Sequence, residues 1–191
     1  KIFKEADEKL NYKISKIILE GPEDKLKLTK NTQPAILTVS YAIFSVLKKE
    51  FNFNFKETKF FAGHSLGEYS ALVCSESLDF KDALFLLFER GKAMQEAVPI
   101  GKGSMIAVLG CTIIEINNFI NDINKGICEI ANDNANGQVI ISGDIDGINL
   151  FKDILKKNNK KFIPLNVSAP FHCSLMKPAA NIMTSKINSV K

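Results

Sequence analysis

The chain has 191 residues, 46% of them hydrophobic and 24% charged, with a formal net charge of +4. That is the composition of an ordinary globular protein with one sizeable core and room for a small inserted subdomain. The positive excess is almost all lysine, with no basic stripe interleaved with aromatics, which argues against nucleic acid as partner; no apolar run approaches a membrane span.

Residues 1–11 read as the end of a charged amphipathic helix, and residues 12–19 as a second helical piece stopped by Gly21-Pro22. Thr32-Gln33-Pro34 opens a stronger helix, with Thr32 as N-cap and Pro34 in the first turn. Ile36, Val39, Ile43, Val46 and Leu47 recur at helical spacing and predict one face packed into a core. The polar run 52–58 ends this helix. The apolar run Phe60-Phe61-Ala62 then predicts a strand, and a helix-prone run, residues 66–74, follows. Between them lies Gly63-His64-Ser65-Leu66-Gly67.

A Gly-x-Ser-x-Gly between a strand and a helix is the setting of a nucleophile elbow. The serine sits on a tight, strained turn, and the flanking glycines let the two backbones approach closely. Ser65 is then presented at a helix N-terminus, where the Leu66 N–H can serve an oxyanion.

Residues 75–78 read as a turn, and Asp79 caps a long helix running to about Ala97. Its apolar stripe is Ala83, Leu86, Leu87, Met94 and Ala97, with Arg90 on the same side. Arg90 is the only arginine in the chain. Periodicity leaves two readings open: a guanidinium that snorkels past the core edge, or one held at the floor of a cleft. Residues 99–103 are rich in Gly and Pro and mark a boundary. Beyond it, strands are predicted at 104–110, 127–132, 138–142 and 162–167, with helices at 113–123 and 145–157. That order, βαββαβ, is ferredoxin-like. Residues 133–137 form the hairpin connection, with Asn136-Gly137 supplying positive φ. A polar helical segment, residues 179–191, closes the chain.

A serine hydroxyl needs a base, and the chain holds two histidines, His64 and His172. His64 is adjacent to Ser65 and poorly aimed at its Oγ. Elimination leaves His172, with an ordinary surface or core histidine as the alternative. No acidic residue stands out to orient the imidazole; Asp133 and Asp144 read as turn and cap residues. The four cysteines are scattered without metal-site spacing and read as buried free thiols, so no metal is expected. The chemistry indicated is acyl transfer through a serine ester. An arginine facing that serine suits an acyl group ending in a carboxylate, which a guanidinium grips in a bidentate fork.

Residues 63–72, Gly63-His64-Ser65-Leu66-Gly67-Glu68-Tyr69-Ser70-Ala71-Leu72, closely resemble the nucleophile motif of the malonyl-CoA:acyl carrier protein transacylases of type II fatty-acid synthesis. Thr32-Gln33-Pro34-Ala35 resembles the family's helix start before the elbow, and residues 90–97, from Arg90-Gly91-Lys92, its arginine motif. Residues 137–143 resemble the subdomain hairpin, and Pro170-Phe171-His172-Cys173-Ser174-Leu175-Met176-Lys177-Pro178 the histidine motif. The resemblance covers nearly the whole chain. It implies an α/β fold: an α/β-hydrolase-like large subdomain carrying the elbow, residues 1–100 and 168–191, with an inserted ferredoxin-like small subdomain, residues 101–167. It implies Ser65 as acyl-accepting nucleophile, His172 as general base, Arg90 as the malonyl carboxylate's partner and the Leu66 N–H as an oxyanion donor. His64, Met94, Asn134, Gln138 and Phe171 line the pocket. Phe171 resembles the residue of malonyl-selective relatives where methylmalonyl-selective ones carry serine, although single-domain malonyl enzymes also have serine there.

The substrates implied are malonyl-CoA, a coenzyme A thioester, and acyl carrier protein; no permanent cofactor, nucleic acid or membrane is implied, and a monomer is expected. The alternatives are an acyltransferase domain of a polyketide or multifunctional fatty-acid synthase, a serine hydrolase of the esterase or phospholipase type, and a non-catalytic carrier-binding module. Family members begin with a strand and a Gly-Gln-Gly loop holding a second oxyanion donor. They end with a segment whose carbonyl orients the histidine. Neither is found in these residues, and the chain opens on Lys1. The expectation is therefore a central piece of the enzyme, weakly active or inactive by itself, since one lost oxyanion donor costs ~10²–10³ in rate. The heavy use of Asn, Lys and Ile points to an AT-rich genome. The expected compartment is a plastid-type organelle (apicoplast) or mitochondrion in a eukaryote, or the cytoplasm of a bacterium.

Overall fold

The computed structural model describes residues 1–99 and 101–190 and divides into two units, residues 1–92 with 183–191 and residues 93–182. Ile100 of the predicted boundary and Lys191 of the predicted last helix lie outside the described residues.

The first unit is built from helices α1 (Ile2–Leu10), α2 (Ile14–Glu20), α3 (Glu23–Lys27), α4 (Thr29–Lys49) and α5 (Gly67–Cys74), with most of α6 (Phe80–Ala97). Ala6, Ile14, Leu37, Val73, Leu84 and Leu87 form its buried centre. The buried Asp7 carboxylate fixes the start of α2 by accepting the Ser15 N–H at 2.9 Å and the Ser15 hydroxyl at 2.7 Å. Asp79 caps α6 as expected, its Oδ1 accepting the Lys81 N–H at 2.8 Å.

Four expectations in this unit are corrected. Helix α4 begins at Thr29, and Thr32 is not its N-cap. The Leu28 carbonyl takes the Asn31 and Thr32 N–H groups, and the Thr32 hydroxyl donates back to Leu26 and Leu28. The predicted core face of α4 is largely outward: Ile36, Ile43, Val46 and Leu47 are exposed, whereas Pro34, Ala35, Leu37 and Thr38 are buried. The helix is apolar on both sides, so spacing alone could not choose between them. Residues 60–62 form no strand. The segment has no ladder partner among the described residues, and Phe60 is 86% exposed. Finally, only one elbow glycine is sterically required. A Cβ on Gly63 would fall 1.9 Å from the Gly67 carbonyl oxygen, whereas one on Gly67 would meet nothing within 4 Å.

The second unit is an antiparallel four-stranded sheet, β1 (Gly103–Leu109), β2 (Cys128–Ala135), β3 (Gln138–Asp144) and β4 (Lys161–Pro164), in the order β2-β3-β1-β4. Helices α7 (Ile113–Asn121) and α8 (Ile145–Lys157) make the crossovers, giving the ferredoxin-like βαββαβ arrangement. Side chains alternate across the sheet. Ile106, Val108, Val139 and Ile141 join Ile116, Ile148, Phe151 and Leu155 of the helices in one buried cluster. Met105, Ala107 and Ile140 lie on the opposite face, where Leu165 and Phe171 pack. Helix α7 opens on a reciprocal capping box between Thr112 and Glu115.

Here β2 runs on through Ala135, so the turn is Asn136-Gly137 alone, and positive φ falls on Gly137 (78°) but not on Asn136. Strand β4 stops at Pro164, short of the predicted 167, although the Leu165 N–H still bonds to the Met105 carbonyl at 2.9 Å. Helix α9 (Lys177–Ile187) starts two residues earlier than expected, because Pro178 in its first turn gives up no helical hydrogen bond.

Candidate active site

In the first unit, the chain turns between residues 60–62 and α5. Ser65 adopts φ 53°, a left-handed conformation that a non-glycine residue holds only where its surroundings force it. The Gly67 N–H bonds to the His64 carbonyl at 2.9 Å and the Glu68 N–H to the Ser65 carbonyl at 3.1 Å. Leu66 therefore stands at the head of α5, with its N–H where the helix dipole favours negative charge. His64 is exposed beside it.

Arg90 reaches this turn from α6. Its Nη2 donates to Ser65 Oγ at 3.0 Å, and its Nη1 donates to Gln33 Oε1 at 2.6 Å. Gln33 is 3% exposed and in turn donates from Nε2 to Thr29 Oγ1 at 2.9 Å. Gly91 permits this meeting of α6 with α4, since a Cβ there would lie 2.5 Å from Lys30 Cα. Burial lowers the Arg90 pKa, with Tyr69 and Glu68 opposing it; an arginine so shifted stays charged at neutral pH. The structure thus decides the question that periodicity left open: the guanidinium faces Ser65 rather than snorkelling outward. Gln33 has no assigned role in the sequence reading; it is one of two buried amides of α4, with Asn31, and no local signal distinguishes it.

In the second unit, His172 also has a left-handed backbone, φ 58°, and is half-buried. Phe171 beside it packs on Met94, Val98 and Met176, and on the sheet face bearing Met105. Met94 is itself buried in that cluster. Asn134 and Gln138 are exposed at the end of the β2–β3 hairpin, the Asn134 Nδ2 donating to Gln138 Oε1 at 3.4 Å. Ser65, Leu66, His64 and Arg90 thus belong to one unit and His172, Phe171, Met94, Asn134 and Gln138 to the other.

The cysteines are not competing nucleophiles. Burial pushes the Cys128 thiol up to about 12 and raises Cys74, Cys111 and Cys173, which keeps them protonated. Among the described residues no group of His, Cys, Asp or Glu could hold a metal ion, and no helix is long and apolar enough to cross a membrane.

The model of the acyl transferase domain family matches residues 3–191. A malonyl CoA-acyl carrier protein transacylase of Bacillus subtilis is 46% identical over 187 residues, covering 94% of this chain and 56% of that protein. The enzyme of that name from Escherichia coli K12 is 40% identical, covering 98% and 60%. Among solved structures, an acyl-carrier-protein-S-malonyltransferase of Bartonella henselae matches with TM-score 0.94 and 42% identity, over 100% of this chain and 61% of that one. A malonyl-transacylase in complex with a type II polyketide acyl-carrier protein matches with TM-score 0.93, 40% identity, over 100% and 61%. The chain therefore spans 56–61% of the length of these relatives. Its fold class is the α/β one expected, an α/β-hydrolase-like part with the elbow and a ferredoxin-like part.

Proposed function

The chain belongs to the acyl transferase domain family, and from that premise we propose that it carries the catalytic residues for moving a malonyl group from coenzyme A to the phosphopantetheine thiol of acyl carrier protein. The observation that carries this reading is the Arg90 guanidinium, 3.0 Å from Ser65 Oγ in a strained elbow and anchored on its other side by Gln33. A fixed cation beside the nucleophile favours an acyl group with a terminal carboxylate. The names of the relatives, and the one solved with its carrier protein, support the same donor and acceptor.

Ser65 Oγ attacks the thioester carbonyl while His172 takes its proton. The tetrahedral oxyanion is met by the Leu66 N–H. The C–S bond breaks, and coenzyme A leaves as the thiol with the proton from His172. The carrier thiol then gives its proton to His172 and attacks the malonyl-serine, and Ser65 leaves as the hydroxyl. Throughout, Arg90 exchanges its Ser65 contact for the malonyl carboxylate and keeps its bond to Gln33. The enzyme sits where its organism makes fatty acids: the cytoplasm of a bacterium, or a plastid-type organelle or mitochondrion of a eukaryote.

Arg90→Ala tests this. Losing two charge-assisted hydrogen bonds of about 1.5–3 kcal/mol each lowers the malonyl rate by ~10²–10⁴, while the acetyl-CoA rate stays near its starting value. Equal loss for malonyl and acetyl donors defeats the proposed role of Arg90. Turnover to water without carrier protein favours a hydrolase instead.

A further inference from the structure

His172 lies in a four-residue stretch laid across the sheet. Its left-handed φ of 58° needs anchors on both sides. On the N-terminal side, the Phe171 N–H donates to Met105 Sδ at 3.3 Å, and the Pro170 ring sits where a Cβ on Gly103 would be, 2.2 Å from its Cγ. On the C-terminal side, Glu129 accepts both donors of Ser174: the N–H at 2.8 Å and the hydroxyl at 2.5 Å.

Two of these anchors, Met105 and Glu129, share one row of the sheet. Met105 on β1 is paired with Ser142 on β3, and Ser142 with Glu129 on β2. Directly paired residues of antiparallel strands project from the same face. The row Met105–Ser142–Glu129 therefore underlies residues 171–174 in order. The middle position agrees: burial raises the Cys173 thiol, and the Ser142 hydroxyl beside it works the other way. A carboxylate holding an N–H and an O–H at once is the strongest polar contact along the row.

We propose that Glu129 is a positioning residue, whose grip on Ser174 holds the turn at His172 and thereby aims the imidazole. This rests on the reading of His172 as the base of the transfer. Without the grip, the C-terminal side of the turn relaxes and the base is misplaced; a 1 Å displacement of a catalytic group costs up to about 10²-fold.

The test compares Glu129→Ala, Glu129→Gln, Ser174→Ala and His172→Ala in the whole protein. The readouts are malonyl-transfer kinetics and the imidazole proton resonances, of which the chain has two sets, from His64 and His172. Glu129→Ala is expected to lower kcat by about 10–100-fold with KM changed less than about twofold. It moves or broadens the His172 resonances and leaves those of His64 in place. Glu129→Gln retains most activity, since its amide oxygen can accept the N–H and its NH₂ can donate to the Ser174 hydroxyl. A folded Glu129→Ala protein with the original kcat and His172 spectrum overturns the proposal. If that variant does not fold, Ser174→Ala decides: it must lower kcat and shift the His172 signal, and no change in either overturns the proposal. Full activity in His172→Ala would defeat the reading of the base itself, whereas loss there with none in Glu129→Ala defeats only the positioning role.

Discussion

Gln33 bears the guanidinium of Arg90, and Gln33→Leu isolates what that support is worth. The side chain is buried, accepts from Arg90 Nη1 at 2.6 Å and donates to Thr29 at 2.9 Å. Leucine has nearly the same volume but neither polar atom. One guanidinium N–H then faces hydrocarbon, at a cost of about 1.5–3 kcal/mol for a lost hydrogen bond to a charged group. Arg90 avoids that cost by turning outward, which depletes the orientation facing Ser65 by about 10–150-fold. Malonyl transfer to Ser65 should fall by that factor, while acetyl transfer, which does not use the guanidinium, falls less than about threefold. The assay is intact-protein mass after short incubations with malonyl-CoA or acetyl-CoA, alongside urea unfolding. If Gln33→Leu keeps both the preference for malonyl and the original stability, the support assigned to Gln33 is wrong.

In Gly63→Ala, the added methyl carbon falls 1.9 Å from the Gly67 carbonyl oxygen, so the elbow must open. Acyl-serine formation should drop by about 10² or more, because a shift of about 1 Å at the reacting atom suffices for that, with α-helical circular dichroism preserved. Gly91→Ala places a methyl 2.5 Å from Lys30 Cα. Overpacking of this kind costs about 1–3 kcal/mol and should lower the urea midpoint, as well as carrying Arg90 away from Gln33. Glu115 is held down at about 2, first by the Lys160 ammonium and then by the Thr112 N–H and hydroxyl. A depressed carboxylate stabilises the fold above its unfolded value of 4.5 and loses that contribution as pH falls toward 2. Glu115→Gln should therefore lower the melting temperature at pH 6 and leave it nearly unchanged at pH 2; equal effects at both pH values would argue against the Lys160 pair.

The elbow and the ferredoxin-like order were legible because each is written locally. Gly63 and Ser65 mark a turn that few sequences make, and the short apolar runs between Gly- and Asn-rich turns after residue 103 mark the sheet. What escaped depends on contacts that no local pattern encodes. Gln33 meets Arg90 across 57 positions of chain. Glu129 sits under the His172 loop only because the β2–β3 register pairs it with Ser142. Phe60 and Phe61 carry a strand pattern, but a strand exists only with a partner to bond, and the described residues supply none. Helix α4 has apolar residues on both sides, so the spacing favours Ile43 and Val46 as core, whereas Ala35 and Leu37 take the buried places. Thr32 was a plausible cap by residue type, yet the Leu28 carbonyl had already closed the first turn.

The central claim is that Ser65 accepts a malonyl group, and the most direct measurement is the intact mass of the protein after brief exposure to malonyl-CoA, with Ser65→Ala in parallel. The account predicts a malonyl adduct that maps to the peptide containing Ser65, is discharged by acyl carrier protein, and does not form on Ser65→Ala. An adduct that persists in Ser65→Ala, or none on the folded whole protein, would contradict it.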